Sequence, residues 1–200
     1  KELNIERVVS GSFTSNMYIL WEDVTRDVVV IDPGEQDEVK LLDFFLKTKL
    51  KPAWVFLTHE HFDHCAGVNT LNRYNDFQLF TTFECNHKIR DQRGNLSLYA
   101  EGYCEPFVIE MPVRVVSDSE RILINGKIYE IIITPGHSAG GMCVKVENYL
   151  FSGDSLLETK VPVKLPGGNK LQLQESLQRL KDRCDPGVRV YPGHGECFAW

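Results

Sequence analysis

Short runs rich in Val, Ile, Leu and aromatic residues alternate with longer stretches whose apolar positions recur every three or four residues. The short runs predict strands at residues 5–10, 16–21, 27–32, 53–58, 77–81, 121–124, 127–134, 142–146, 149–152 and 188–191. Asn125-Gly126 is a two-residue hairpin signal between one pair of them, and Glu147-Asn148 sits between another. The longer rhythm predicts a helix at residues 35–49, with Val39, Leu42, Phe45 and Leu46 on its buried stripe. A second is predicted at 170–184 with Leu173, Leu177 and Leu180, and two more at 67–74 and 83–91. Residues 94–106 read as a loop. Strands and helices alternate in both halves with no linker between, which predicts one α/β domain over residues 1–200.

Charge and composition narrow the partners. The net charge of −6, from 28 acidic and 22 basic side chains, argues against a nucleic-acid partner. No apolar run is long enough to span a bilayer, and none follows a charged start in the manner of a signal peptide. Cys65, Cys85, Cys104, Cys143, Cys184 and Cys197 show no C-x-x-C spacing and suit reduced thiols better than a disulfide framework. A cytoplasmic protein without a membrane partner is expected, and composition leaves the oligomeric state open.

The chemistry concentrates after the strand at 53–58, where AWVFLT runs into His59, His61, Asp63 and His64. Imidazole and carboxylate are donors that suit zinc, iron or manganese. His59 and His61 cannot share a face of a regular helix, but in an extended segment they point the same way. Cys65 reads as a small packed hydrophobe, outside the site. His87 has no other donor type nearby and reads as a surface residue.

The same grammar recurs three times. YEIIITPG leads to His137, YLFSG to Asp154, and VRVYPG to His194. Each is an apolar strand that runs through Gly or Pro into a metal-binding residue type, and ligands in α/β sheets bind beyond the carboxyl ends of strands. His59, His61 and His137 suit one ion; Asp63, His64 and His194 suit another; Asp154 has two oxygens and could bridge them. Two divalent ions about 3.5–4 Å apart, zinc foremost with iron or manganese also suited, would acidify a shared water to metal-bound hydroxide. Asp63 could equally orient that nucleophile or take its proton. Asp32, which ends the strand at 27–32, could be a turn-former or could hold the far nitrogen of a metal-bound histidine.

With IDPG at 31–34, THEHFDH at 58–64, TPGHS at 134–138, SGD at 152–154 and YPGHG at 191–195, the chain resembles the metallo-β-lactamase-fold hydrolases. The resemblance implies a four-layer αββα sandwich of two mixed β-sheets flanked by helices, with the site along one edge. It also implies the ligand roles given above and a supporting role for Asp32. NLS at 95–97, TPGHS and LPGG at 165–168 resemble the compact glyoxalase II-like branch, which hydrolyses thioesters such as acylated glutathione. The segment 160–164 is KVPVK where that branch carries an arginine, and a helical domain holding glutathione beyond Trp200 is not expected. A dinuclear hydrolase of small thioesters, esters or lactones is therefore expected, acting on a small-molecule substrate. The alternatives are a mononuclear iron persulfide dioxygenase, a phosphodiesterase or nuclease, a β-lactamase, or a binding module without catalysis.

Overall fold

A computed structural model of the chain describes residues 2–11 and 13–200. β1 (Asn4–Val9), β2 (Asn16–Trp21) and β3 (Asp27–Ile31) form an antiparallel meander. β4 (Lys51–Phe56), β5 (Gln78–Thr81) and β6 (Val113–Val115) then add in parallel, completing a six-stranded sheet in chain order. β7 (Arg121–Ile124), β8 (Lys127–Ile133), β9 (Met142–Val146) and β10 (Tyr149–Gly153) build a second meander. β11 (Arg189–Pro192) pairs parallel with β10, and β12 (Phe198–Ala199) closes the edge, giving the order β12-β11-β10-β9-β8-β7.

Strand alternation sorts the side chains into layers. Tyr18, Leu20, Val29, Ile31, Phe56 and Phe80 of the first sheet meet Tyr129, Ile131, Val144 and Phe151 of the second in one continuous core. Their neighbours Met17, Ile19, Val28, Val30, Val55 and Leu79 face the opposite way, against α1 (Glu38–Thr48) and α3 (Val68–Tyr74). α2 (Phe62–Cys65) and α4 (Phe83–Lys88) place Cys65 and Cys85 in that same outer core. On the far side Leu180 of α5 (Lys170–Arg183) packs with Ile132, Leu150 and Val190. These three cores are the four-layer αββα arrangement expected from the resemblance.

Local chemistry explains the boundaries. Asn125 (φ 51°) and Gly126 (φ 81°) both lie in left-handed backbone, so the β7–β8 turn has the sign that matches strand twist. The first helix starts at Glu38, three residues later than expected, because Asp37 caps it by accepting Lys40 N–H at 2.9 Å. Glu35 lies outside it, buried, and accepts from Gly11 N–H and Asp37 N–H. The buried stripe also differs from expectation: Leu41, Leu42 and Phe45 face the sheet, whereas Val39 is 78% and Leu46 50% exposed. Both stripes fit the helical period, and docking on β2–β4 selects the one centred on Leu41 and Phe45. In α5, Leu173 and Leu180 are buried with Ser176, while Leu177 is partly buried. β6, β12 and α2 are additional to the expected elements. No helix among the described residues is long and apolar enough to cross a membrane.

β3, β4, β8, β10 and β11 all finish at one edge of the sandwich, and hydrogen bonds join the two sheets there. Met142 N–H donates to Thr58 O (2.8 Å), Asn16 N–H to Gly193 O (2.7 Å), and Tyr18 O–H to Pro192 O (2.6 Å).

The layering makes a stability prediction. Phe56, fully buried between the sheets, stacks on Phe80 at 4.7 Å and on Tyr129 at 5.8 Å. Denaturant unfolding of Phe56→Ala should show a loss of about 3–5 kcal/mol. Val39→Ala should stay within about 0.5 kcal/mol. A larger loss for Val39 than for Phe56 would contradict the assignment of faces.

Candidate metal centre

The strand ends deliver their donors to this edge by backbone geometry. After β4 the chain bends at Thr58 and His59, and His61 (φ −63°, ψ 140°) is extended before the turn into α2. His59 and His61 both present a ring nitrogen to one cluster, while Asp63 and His64 enter on the helical turn. That turn fits only because residue 34 is glycine: a Cβ there would lie 1.6 Å from Asp63 O. His137 follows β8, Asp154 follows β10 and His194 follows β11. Gly193 permits the last approach, since a Cβ would meet Asp154 Oδ1 at 2.2 Å and His64 Cε1 at 2.7 Å.

Two clusters result. One nitrogen each from His59, His61 and His137 lie within 4.8 Å of one another, and so do donor atoms of Asp63, His64 and His194. Asp154 Oδ2 sits between the clusters. It lies 3.9 Å from His59 Nε2, 3.4 Å from His137 Nε2, 3.6 Å from His64 Nε2 and 3.5 Å from His194 Nε2. Within the clusters His137 Nε2 and His61 Nδ1 are 3.1 Å apart, and Asp63 Oδ2 lies 3.5 Å from His64 Nε2 and 3.3 Å from His194 Nε2. Donors bonded tetrahedrally to zinc at about 2.0–2.2 Å stand about 3.3–3.6 Å apart. The spacing therefore suits donors that share an ion better than donors that bond each other. Among the described residues, His59 Nε2, His61 Nε2 and Asp154 Oδ1 are also buried without a hydrogen-bond partner. Each such atom costs about 1–3 kcal/mol unless a ligand meets it or its neighbours. The seven side chains named from sequence are brought together, and they could hold two divalent ions.

The surrounding hydrogen bonds set the ring orientations. Thr58 N–H and Thr58 O–H donate to Asp32 Oδ1 (2.7 Å) and Oδ2 (2.5 Å). With its only proton committed, the Thr58 hydroxyl must accept from His59 Nδ1–H at 3.0 Å. His64 Nδ1–H donates to Asp32 Oδ2 at 3.0 Å, and His137 Nδ1–H to Pro162 O at 2.7 Å. All three rings therefore turn Nε2 towards the centre. Asp32 occupies a left-handed turn (φ 52°) and also holds the Nδ1 side of His64.

The electrostatics are those of a site built for positive charge. Burial, with like-charged neighbours adding to it, drives His59 well below the ordinary imidazole value and His61 down to about 3. Burial opposes charge on His64 as well, but Asp63 and Asp154 outweigh it and hold the ring well above its ordinary value. His194 is raised to about 9, since Asp154 and Asp63 overcome the burial penalty. Burial likewise opposes charge on Asp63 and Asp154, yet the adjacent imidazoles keep both carboxylates below the usual range.

Glu60, between the two leading histidines, points the other way and is fully buried. It pairs with Lys88 Nζ at 3.2 Å and accepts Ser138 O–H at 3.2 Å, tying the histidine loop to α4 and to the turn that carries His137. The signal for it was available: a charged residue between two histidines that reach one site is liable to be buried behind them, and a charge there needs a partner. Cys65 Sγ donates to Glu60 O at 3.4 Å and burial pushes its thiol well up, so it stays outside the site. His87 is exposed on α4, also outside it. All six cysteines are free.

A cavity of about 560 Å³ opens above His61, Asp63, His137, Asp154 and His194. A larger groove, about 1140 Å³, runs between β1 and α1 and is lined by none of the seven donors.

Comparison with known proteins agrees with this geometry. The sequence profile of the Metallo-beta-lactamase superfamily matches residues 11–194. The probable polyketide biosynthesis zinc-dependent hydrolase PksB of Bacillus subtilis (strain 168) is 29% identical over 184 residues, covering 91% of this chain and 73% of that protein. Hydroxyacylglutathione hydrolase of Shewanella baltica (strain OS185) is 29% identical over 92% of this chain, which spans 62% of that protein's length. The crystal structure of TTHA1623 in a di-iron-bound form superposes with a TM-score of 0.84 at 30% identity, covering 97% of this chain and 94% of the other.

The charges predict how the metal-free protein responds to pH. A histidine raised on folding contributes its full stability below the unfolded value near 6.5, and loses it as pH rises through the folded value, about 9 for His194. Thermal melts of chelated protein should therefore fall in midpoint across that window. Saturating zinc should remove most of the fall, because the cation takes over the compensation of Asp63 and Asp154. A chelated protein whose midpoint rose across the window would contradict the assignment.

Proposed function

The chain belongs to the metallo-β-lactamase superfamily, and we propose that it is a metal-dependent hydrolase of small thioesters, esters or lactones working through two divalent ions. The observation that carries this reading is Asp154 Oδ2, placed 3.4–3.9 Å from two imidazoles of each cluster, as an oxygen shared by two cations requires. Relatives supply the chemistry by analogy: PksB is described as a probable zinc-dependent hydrolase, another is named as a hydrolase of hydroxyacylglutathione, and TTHA1623 was solved in a di-iron-bound form. Zinc is the proposed metal, and iron or manganese would fit the same donors. The cavity volume suits a small-molecule substrate.

His59, His61 and His137 would hold one ion, Asp63, His64 and His194 the other, and Asp154 both. Two ions there would polarise a substrate carbonyl and lower the pKa of water towards neutrality. The protein's own contribution is orientation. Thr58 and Asp32 keep His59 and His64 in the tautomers whose Nε2 faces inward, and Pro162 O does so for His137. Asp63 lies on the cavity floor and is held ionised beside His64 and His194, so its Oδ2 is the proposed acceptor for the proton of the attacking water. As water adds to the carbonyl carbon and the bond to sulfur or oxygen breaks, the leaving thiol or alcohol regains a proton.

Three substitutions test the assignment together. Asp154→Ala removes the charge between the two ions, so metal analysis should show a loss at both sites and hydrolysis should fall at least about 100-fold. His194→Ala should weaken chiefly one ion, leaving near one equivalent bound. His87→Ala should change neither metal content nor rate. Retention of both ions and most of the rate by Asp154→Ala, or metal loss from His87→Ala, would sink the proposal.

A further inference from the structure

The walls of the cavity differ sharply from its floor. Ionisable side chains line the floor, but no lysine or arginine lines the cavity among the described residues. Its walls are Phe13, Phe62, Leu96, Tyr99, Leu165 and Pro166. Lys164, in the segment where the resembling enzymes carry arginine, is exposed and takes no part in the lining. A carboxylate or phosphate lodged between these walls would lose hydration with no cationic side chain among them to replace it. An apolar chain would bind more tightly with each methylene it buries.

The walls are anchored. On one side Asn95 holds three neighbours: its Nδ2 donates to Phe107 O (2.8 Å), its Oδ1 accepts Ser97 N–H (2.8 Å), and its carbonyl accepts Phe62 N–H (2.8 Å). These bonds hold Leu96 at φ 66°, a region that bulky side chains seldom occupy. Such backbone is unfavourable on its own and persists where the surroundings over-determine it. On the opposite side, the loop bearing Leu165 is tied to the metal-site turn by His137 Nδ1–H to Pro162 O (2.7 Å) and Asn169 N–H to Gly136 O (2.8 Å). Phe13 adds to the lining, edge-on to Phe62 at 4.9 Å and against Tyr103 at 4.6 Å.

From this arrangement we infer that the cavity is an acyl pocket selecting uncharged, apolar acyl groups of medium chain length over short or anionic ones, with Leu96 and Leu165 as the residues that set the preference. The inference rests on the hydrolase reading for the reaction, but it concerns the walls rather than the metal floor.

The test uses S-acyl-N-acetylcysteamine thioesters carrying acetyl, butanoyl, hexanoyl and succinyl groups on zinc-loaded protein. Specificity constants should rise at least about tenfold from acetyl to hexanoyl, as expected if four added methylenes realise even half of their transfer free energy. Succinyl should fall at least about tenfold below butanoyl, which has the same number of carbons. Leu165→Lys should narrow or reverse the butanoyl-to-succinyl ratio. Leu96→Gly should flatten the chain-length dependence while raising resistance to denaturant, a combination that loss of a purely structural residue would not produce. In parallel, amide analogues of the acetyl and hexanoyl thioesters are titrated calorimetrically. Tighter binding of the hexanoyl amide with no thioester cleaved would leave the pocket in place and remove the hydrolase reading. Equal affinities, or thioester rates that are flat with chain length or favour succinyl, would overturn the pocket.

Discussion

A carboxylate oxygen ringed by imidazoles sets the terms for everything around it. Asp154 Oδ2 stands within 3.9 Å of four ring nitrogens, two from each cluster, and in the metal-free protein it is balanced by charge on His64 and His194. Neutral rings packed this closely around a buried carboxylate would leave it uncompensated, so the site is stable only with positive charge at its centre. Protons supply that charge weakly and only below the imidazole pKa values. Two divalent ions would supply it across the working range. The rest of the edge serves this requirement: Thr58, Asp32 and Pro162 O turn the rings inward, and glycines at 34 and 193 let the backbone come close enough.

Much of this edge was legible in the sequence. His59 and His61 are separated by one residue after an apolar run, a spacing that no regular helix brings onto one face, and both rings reach one cluster although the chain bends at Thr58 and His59. The repeated passage from strand through Gly or Pro to a donor places His137, Asp154 and His194 at strand ends, which in this class of sheet meet at one edge. The first helix was harder, because two apolar stripes satisfy its period and only packing chooses between Val39 and Leu41. Pro162 was invisible because a backbone carbonyl carries no side-chain signature, although it lies in the KVPVK segment whose role was open. β6 and β12 span three and two residues, too few for alternation to register.

The same molecule shows where local preference yields to the site. Leucine at φ 66° and aspartate at φ 52° are poor choices for stability alone. Each is locked by hydrogen bonds to neighbouring segments, and each stands where the cavity or the imidazoles need a side chain in that direction. Glu60 follows a similar logic, since a buried charge behind the histidine loop is acceptable only with Lys88 and Ser138 in place. Rigidity at this edge comes from such polar ties and from the apolar core beneath, where Phe56, Phe80 and Tyr129 stack across the two sheets.

The claim that one edge of the sandwich holds two ions about a shared carboxylate is open to a direct count. Metal-free protein titrated with zinc, with bound metal determined by elemental analysis after removal of the excess, should saturate at two equivalents per chain. Hydrolytic activity should accompany that loading. Saturation at one equivalent with the full rate already developed would contradict it.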